Sequence, residues 1–328
     1  MLKYIAKRLG YAILVLLGVS LIIYFLTRLM PIDFVRDKVN SVQTSGATVT
    51  QEMVDAMYES YGLIENATPL QIFQGYLSWL KDLCRLDLGV SFKYGVPVAQ
   101  KISMHMGVSF MIALIATIFE FLIAIPLGIT AATHQYKMRD YVVTVLVMIG
   151  ISLPSFFFGN ILKSWLALKL GWFPSTGLTN ETANMPLLLD WAHHAFIPIL
   201  TVVILSIGAR MRMTRTNMLE VLSSDYIRTA RAKGLQERVV INKHAFRNTL
   251  IPLVTSMAGL LPMLFSGAII TEQVFALPGI GNIAFQAMSA GDIPFIMGYN
   301  MFLAILSVLG VLLADLMYAV VDPRVKLE

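Results

Sequence analysis

Six long apolar stretches, separated by polar segments, constrain this chain more than any other feature of its sequence. Each approaches the ~20 residues that an α-helix needs to cross the hydrocarbon core of a bilayer. A helix satisfies its own backbone hydrogen bonds, and these stretches are far too long for the strands of a membrane barrel. The sequence therefore predicts an all-α polytopic membrane protein with six transmembrane helices. Their predicted ranges are 9–29, 107–132, 141–165, 195–213, 251–275 and 295–320.

The composition agrees with a chain that mostly avoids water. Hydrophobic residues make up 57% and charged residues 14% of the sequence, and the mean hydropathy is +0.71, whereas soluble domains carry about 25% charged residues. The net charge of +5 does not predict nucleic-acid binding, because the basic residues concentrate in one segment after the fourth span. Cys84 is the only cysteine, so the chain forms no internal disulfide.

The distribution of positive charge predicts the orientation of the chain. Cytoplasmic loops of membrane proteins carry an excess of Lys and Arg. The most basic loop follows the fourth span, and with six spans both ends of the chain lie on its side, together with the basic residues near those ends. We therefore expect both termini to be cytoplasmic. The basic residues of the loop are Arg210, Arg212, Arg215, Arg228, Arg231, Lys233, Arg238, Lys243 and Arg247.

The spans divide the chain into three predicted parts. Residues 1–30 form an N-terminal transmembrane helix, residues 31–106 an external segment, and residues 107–328 a core domain of five spans that contains a cytoplasmic loop at 211–250. The external segment is too polar to be a span. Within it, the residue pattern predicts a loop over 40–50 and helices over 51–61 and 69–83, so it forms a small helical cap.

The cytoplasmic loop carries the most informative local pattern. Asp225 is placed to begin a short helix, because its side-chain oxygen can accept from free backbone N–H groups, and Gly234 is placed to end it. Apolar residues recur at helical spacing, and a second helix leads to Pro252. A helix pair with one apolar face and a basic rim suits either a partner protein or anionic lipid, and the residues alone do not choose between them. The apolar positions are Leu219, Leu222, Tyr226 and Ala230.

The stretch SSDYIRTARAKGL, followed by KHAFRNTLIP, resembles the cytoplasmic coupling loop of the dipeptide and oligopeptide permeases of ABC importers. The general pattern of these loops is Glu-Ala-Ala, three residues, then Gly. Ala230 and Gly234 match it, whereas Arg228 and Thr229 depart in the way usual for the peptide branch. The resemblance implies that this helix contacts an ATPase subunit. The implied coupling residues are Asp225, Tyr226, Arg228, Thr229, Ala230, Arg231, Ala232, Lys233 and Gly234.

Other parts of the chain are similar to the same family, in the same order. They are AKRLGYAILVLLGVSLIIYFLTRLMP, the external GYLSWLKDLCRLDLGVSF, the last external loop EQVFALPGIGNIAFQAMSAGDIPFIMG, and the closing Asp322, Pro323 and Arg324. The sequence departs before the second span, where Pro-x-Thr is usual and Met106 and Ser109 stand instead. The resemblance implies the permease fold of type I ABC importers, the MetI-like fold.

The resemblance also implies partners and a division of labour. The chain would form the membrane pathway with a second, homologous permease subunit, and two ABC ATPase subunits would drive it. An external solute-binding protein would deliver a peptide. The sequence contains no G-x-x-x-x-G-K-[ST] loop, so we expect ATP and Mg²⁺ on the partner subunits, no cofactor on this chain, and no catalytic residue.

Two residues within the spans are candidates for the translocation pathway. Glu120 lies deep in the second span, and an intramembrane carboxylate is a functional candidate. Pro154 lies inside the third span, where proline kinks a helix and can leave room for a pathway. Asp315 near the inner end of the last span is expected to pair with a basic neighbour. His193 and His194 are adjacent and do not share a helix face, so no metal site is predicted.

Two other function classes remain as alternatives. A self-sufficient secondary transporter usually shows internal repeats and intramembrane ion sites, and the halves of this sequence show no convincing similarity. A membrane-embedded enzyme is disfavoured because the chain has neither H-E-x-x-H nor paired intramembrane aspartates. Within the importer class, nickel complexes and oligosaccharides are alternatives to peptides as the substrate.

Overall fold

The computed structural model describes residues 2–29, 34–44, 50–60, 68–180 and 185–321. Over these residues the chain is built from helices connected by short loops. They are α1 (Leu2–Arg28), α2 (Phe34–Thr44), α3 (Gln51–Ser60), α4 (Pro69–Cys84), α5 (Val98–Thr133), α6 (Met138–Ser152), α7 (Ser155–Leu162), α8 (Leu187–Leu222), α9 (Asp225–Ala232), α10 (Glu237–Val239), α11 (Phe246–Ser256), α12 (Leu260–Ser266), α13 (Ile269–Val274), α14 (Ile280–Ser289) and α15 (Ile293–Val321). Asp322, Pro323 and Arg324 lie outside the described residues.

Among the described residues, five stretches are long and apolar enough to cross a membrane, and a bent pair of helices makes a sixth if it is taken as one span. This confirms the prediction of an all-α polytopic membrane protein. The five stretches are Lys7–Arg28, Val98–Thr133, Leu187–Leu222, Glu237–Val274 and Ile293–Met317, of which Glu237–Val274 is made of several successive helices.

The third predicted span, 141–165, is not one straight helix. It divides into α6 and α7, which continues as a π-helical turn to Lys169, and the two parts are bent by 101°. Leu153 has φ −91° and ψ 135°, which is extended backbone. The cause is Pro154, because the proline ring clashes with a helical conformation of the preceding residue and supplies no N–H.

The core of the bundle lies between α5 and α8. Ala116, Ala124 and Ala131 are buried against Val203 and Met211. Small residues allow the backbones of membrane helices to approach closely. At one end of the bundle, α1 joins α15 through an ion pair of 3.0 Å between Arg8 Nη2 and Asp315 Oδ2, which confirms the basic partner expected for Asp315.

The segment between α1 and α5 is helical where it is described. Helices α3 and α4 match the predicted ranges closely, and α2 packs on α3 through Val35, Val39 and Tyr58. The loop predicted over 40–50 is partly wrong, because α2 continues to Thr44; residues 45–49 lie outside the described part of the chain. Helix α5 begins at Val98 rather than at residue 107, after Pro97 in an extended conformation.

Candidate functional site

Helix α9 stands at the end of α8, after a two-residue turn. It begins at Asp225 as predicted, but the capping position belongs to Ser224, whose backbone is extended (φ −72°, ψ 152°). The Ser224 hydroxyl donates to the carbonyl of Val221, and the Asp225 carboxylate lies 3.5 Å from Arg228. The capping role predicted for Asp225 is therefore wrong. Gly234 follows the helix with φ +73°, a conformation that glycine adopts without steric cost, so its predicted role as the helix end is confirmed.

The buried face of α9 is formed by Ile227 and Ala230. Both pack into a cluster with Met218, Val240 and Ala245. The predicted apolar face included Tyr226, but that side chain is exposed and Ile227 takes the inward position one residue later. Ala230 therefore supports the helix from inside the chain.

The outer face of α9 carries the other residues implied for coupling. A bidentate interaction joins Arg231 to Glu237 at the start of α10, with N–O distances of 2.7 and 3.2 Å. It links the two sides of the turn between the two helices. Because both side chains are exposed, the ion pair contributes under about 1 kcal/mol to the stability of the fold. The exposed residues are Asp225, Tyr226, Arg228, Thr229, Arg231, Ala232, Lys233 and Gly234.

Glu120 on α5 is buried in an ion pair. Its Oε1 accepts from Arg210 Nε on α8 at 2.9 Å, and Arg210 Nη1 donates to Ser256 Oγ on α11 at 2.8 Å. The guanidinium also lies over the ring of Phe121, 4.4 Å from its centroid. Intramembrane charges are costly and pair with each other. This cluster therefore ties three helices together, and Arg210, which lies in the last apolar turn of the fourth predicted span, is the partner that sequence reasoning did not assign.

A second ion pair lies further along α8. Arg215 donates from Nε and Nη2 to the two oxygens of Asp140, both at 2.8 Å. Asp140 lies in the first turn of α6 and is buried. Two points on α8 are thus fixed by charge, one to α5 and one to α6.

Glu272 is a further buried carboxylate to which sequence reasoning assigned no role. It lies on α13, after a break in the Glu237–Val274 stretch at Gly267, which has φ +74°. The carboxylate accepts from Ser109 Oγ at 2.6 Å and from the backbone N–H of Asn282 at 2.7 Å. A Cβ built on Gly279 would stand 2.3 Å from its Cδ, so a glycine is required there. The sequence did contain a signal for this buried site, namely a glutamate within a predicted span that is followed by closely spaced glycines.

Several other helices contact the segment around Glu272. Lys163 Nζ on the turn after α7 donates to the carbonyl of Val274 at 2.9 Å, and the N–H of Gly177 donates to the carbonyl of Phe275 at 2.9 Å. Tyr299 Oη on α15 donates to the carbonyl of Ser266 at 2.7 Å. We call residues 267–292 the glycine-cradled loop. This loop includes α13 and α14. Helix α5 and the turn after α7 contact it directly, and α15 binds the end of α12 just before it.

The far end of the glycine-cradled loop contacts the turn before α5, which is closed by an isolated antiparallel bridge between Val90 and Pro97. Asp292 is fully buried and accepts from Ser91 Oγ and from the backbone N–H groups of Phe92 and Lys93, at 3.0 and 3.1 Å. Burial, with the nearby Asp292 charge, raises the pKa of Tyr94 to about 12. Ser91 and Asp292, which belong to two separate motifs of the sequence, therefore form one contact.

A cavity of about 150 Å³ lies between the Glu120 ion pair and the glycine-cradled loop. Its described lining includes Glu120 but not Pro154, which instead marks the exposed bend between α6 and α7. The structure thus separates the two predicted pathway residues. Among the residues described, no group of three His, Cys, Asp or Glu side chains could hold a metal ion. The lining also includes Ser109, Thr117, Val202, Met263, Thr271 and Glu272.

Comparison with known proteins identifies the family. Residues 124–327 match the model of the binding-protein-dependent transport system inner membrane component. The oligopeptide transport system permease protein AppB of Bacillus subtilis is 34% identical over 99% of this chain and 100% of its own length. A putative peptide transport system permease protein of Brucella abortus is 35% identical over the full length of both chains. The dipeptide transport system permease protein DppB of Alkalihalophilus pseudofirmus is 32% identical over 99% of this chain and 100% of its own.

Among solved structures, a chain of the MetNI methionine ABC transporter superposes with a TM-score of 0.53 and 20% identity. The superposition covers 68% of this chain and 97% of that one. This similarity supports the predicted MetI-like fold, and the sequence matches extend over the whole chain. The chain therefore belongs to the family of binding-protein-dependent transport system inner membrane components, the permeases of ABC importers.

Proposed function

We propose that this chain is one of two homologous permease subunits that together form the pathway of an ATP-driven peptide importer. The single observation that carries the proposal is the exposed, basic outer face of α9, held rigidly at the end of a membrane-spanning helix. The names of the full-length relatives, which are oligopeptide, peptide and dipeptide permeases, support the peptide substrate.

Helix α9 is suited to dock on a separate ATPase subunit. Its inner face is anchored by Ile227 and Ala230, and its outer face is free for a partner. Closure of two ATPase subunits around ATP would draw the two coupling helices of the permease pair together. ATP and Mg²⁺ would be bound by those subunits, since this sequence has no phosphate-binding loop of its own.

The ion pairs of α8 provide a route from α9 to the pathway. Movement of α9 would shift α8, and the Asp140–Arg215 and Glu120–Arg210 pairs connect α8 to α6 and α5. The cavity beside Glu120 would then change shape. Of the two carboxylates in the cavity lining, Glu120 is paired with Arg210, whereas Glu272 is bound by the Ser109 hydroxyl and the Asn282 N–H.

The basic loop supports an orientation with both termini in the cytoplasm of a prokaryotic cell. An external binding protein would deliver the peptide to the opposite face, beside α2, α3 and α14. Nickel complexes or oligosaccharides remain the alternative substrates, and a self-sufficient secondary transporter the alternative class.

The docking surface is tested by site-directed cross-linking. In a Cys84→Ser background, a Thr229→Cys variant co-expressed with its ATPase subunits is expected to form a covalent adduct with an ATPase through a short bifunctional reagent. Ser78→Cys on α4 is the matched control and should form none. An adduct only with the control, or with neither variant in a complex that transports, would contradict the assignment.

The transport class is tested in liposomes that contain the permease pair. Uptake of a labelled tripeptide should require the ATPases, ATP and the binding protein. Uptake by this chain without ATPases would instead identify a secondary transporter.

A further inference from the structure

Helix α4 has a well-defined start and an unusual surface. Its first turn is closed by a capping box, in which Thr68 Oγ1 accepts from the Gln71 N–H and the Gln71 side chain accepts from the Thr68 N–H. Pro69 occupies the first helical position, where the missing N–H is harmless. The first residue of the helix is therefore well defined.

One face of α4 packs on the bundle. Tyr76 is buried, and its ring lies 5.5 Å from that of Tyr24 on α1. Its hydroxyl is 3.1 Å from Ser20 Oγ, also on α1. A Cβ at Gly75 would stand 2.4 Å from Tyr24 Oη, so the glycine sets how closely the two helices approach. Ile72, Trp79 and Leu80 complete this contact, together with Ile293 and Met297 of α15.

Beside this packed face runs a strip of large apolar side chains that nothing in the described chain covers. Leu70, Phe73 and Leu77 are 66%, 47% and 50% exposed. At 100° per residue they point in nearly the same direction along about 10 Å of helix. A polar strip follows on the far side, formed by Gln71, Gln74, Ser78 and Lys81. Around its circumference, α4 is thus divided into a packed, an apolar and a polar strip.

The depth of α4 follows from its contacts with α1. Ser20 and Tyr24 both lie within the apolar stretch Lys7–Arg28. The exposed Phe25 of α1 has its ring 6.4 Å from that of Tyr76, and the Phe73 ring of the apolar strip is also 6.4 Å from it, so this strip lies near the exposed apolar face of α1. A helix that touches a transmembrane helix below its end, and that keeps one strip apolar and one polar, has the geometry of an interfacial helix.

We propose that α4 lies in the membrane interface on the Arg28 side of α1. Its apolar strip contacts the acyl chains of that leaflet, and its polar strip faces the headgroups and water. The segment between the first two spans, predicted from its polarity to be an external cap, is thus partly seated in lipid. Lys81 lies at the edge of the polar strip, where its long side chain can reach lipid phosphates.

The arrangement is tested by spin labels on the full chain, purified with its co-expressed partner subunits and reconstituted in phosphatidylethanolamine–phosphatidylglycerol liposomes. In a Cys84→Ser background, single cysteines replace residues 70, 73 and 77 of the apolar strip, and residues 74 and 78 of the polar strip serve as matched controls. Collisions with oxygen, which concentrates in lipid, should exceed collisions with a water-soluble nickel chelate in the first set. The ratio should reverse in the second set.

Two outcomes would overturn the proposal. If both sets collide mainly with the nickel chelate, α4 stands in water. If the first set is shielded from both reagents, a protein covers the strip, either the second permease or the binding protein.

Photolabelling of the unsubstituted protein tests the same proposal without the risk that a cysteine variant misfolds. A lipid-soluble diazirine, activated in the unsubstituted complex, should modify Leu70, Phe73 and Leu77 and spare Gln74 and Ser78. Equal modification of both strips, or of neither, would count against lipid contact.

Discussion

The coupling loop around α9 and the glycine-cradled loop both carry motifs of the family, but they use their polar residues in opposite ways. In α9 the charges face outward and apolar residues anchor the helix from inside. In the glycine-cradled loop Glu272 and Asp292 face inward and bind hydroxyl and backbone N–H groups. The first arrangement leaves charged side chains exposed on the surface that we propose for ATPase docking, whereas the second joins helices of the same chain. A charged residue in a family motif therefore indicates a partner only when its side chain is exposed.

Removal of one carboxylate from each loop is the strongest test of this contrast. Glu272→Ala leaves the Ser109 hydroxyl and the Asn282 N–H without their acceptor in a buried site, and each such group costs about 1–3 kcal/mol. We expect a loss of about 4 kcal/mol in the free energy of unfolding, measured by thermal and denaturant unfolding in detergent. Glu237→Ala in the coupling loop should cost under about 1 kcal/mol. Equal losses would erase the distinction between the loops.

Alanine substitutions of two glycines compare the cost of a steric clash, at Gly279, with the cost of an unfavourable backbone conformation, at Gly234. Gly279→Ala places a methyl group against the Glu272 carboxylate and should destabilise the fold by about 3 kcal/mol. Gly234→Ala meets open space, with nothing within 4 Å of the new Cβ, and should cost only the about 1 kcal/mol of a left-handed alanine. Unfolding measurements that reverse this order would contradict the assigned packing.

Substitutions of two alanines in α9 distinguish a residue that stabilises the helix from a residue on the proposed docking surface. Ala230→Leu overfills the buried cluster and should cost about 2 kcal/mol of stability. Ala232→Leu, on the exposed face, should change stability by under about 0.5 kcal/mol but lower peptide-stimulated ATPase activity in the assembled importer. A stable Ala230→Leu variant would show that the cluster does not anchor α9.

The Arg231–Glu237 pair should have the smallest effect. Arg231→Ala removes an exposed ion pair and should reduce stability by about 0.5 kcal/mol. The loss should shrink further in high salt, because salt screens exposed charges. A loss that persists in high salt would indicate that the pair is buried against another element.

The apolar runs predicted where the spans lie, but not the bend in the third span or the early start of α5, and local residue patterns predicted α3, α4 and the first and last residues of α9. These features are local, since hydrophobic periodicity and glycine placement depend on neighbouring residues. The role of Glu272 was not predictable in this way, because its partner Ser109 lies on α5, far away in sequence. The burial of Ile227 rather than Tyr226 was also not predictable. The turn after Leu222 separates α8 from α9, so the helical spacing of α8 does not continue into α9.

Helix α8 runs without interruption from Leu187 to Leu222, over 36 residues. At 1.5 Å per residue it is about 54 Å long, and the hydrocarbon core of a bilayer is only about 30 Å thick. It is therefore about 24 Å longer than that core, and with the docking proposed for α9 it would act as a lever that extends beyond the lipid. A tilt of about 10° around its middle would swing the end that carries α9 through about 5 Å, so a modest stroke of a motor subunit would be enough to rock the centre of the bundle.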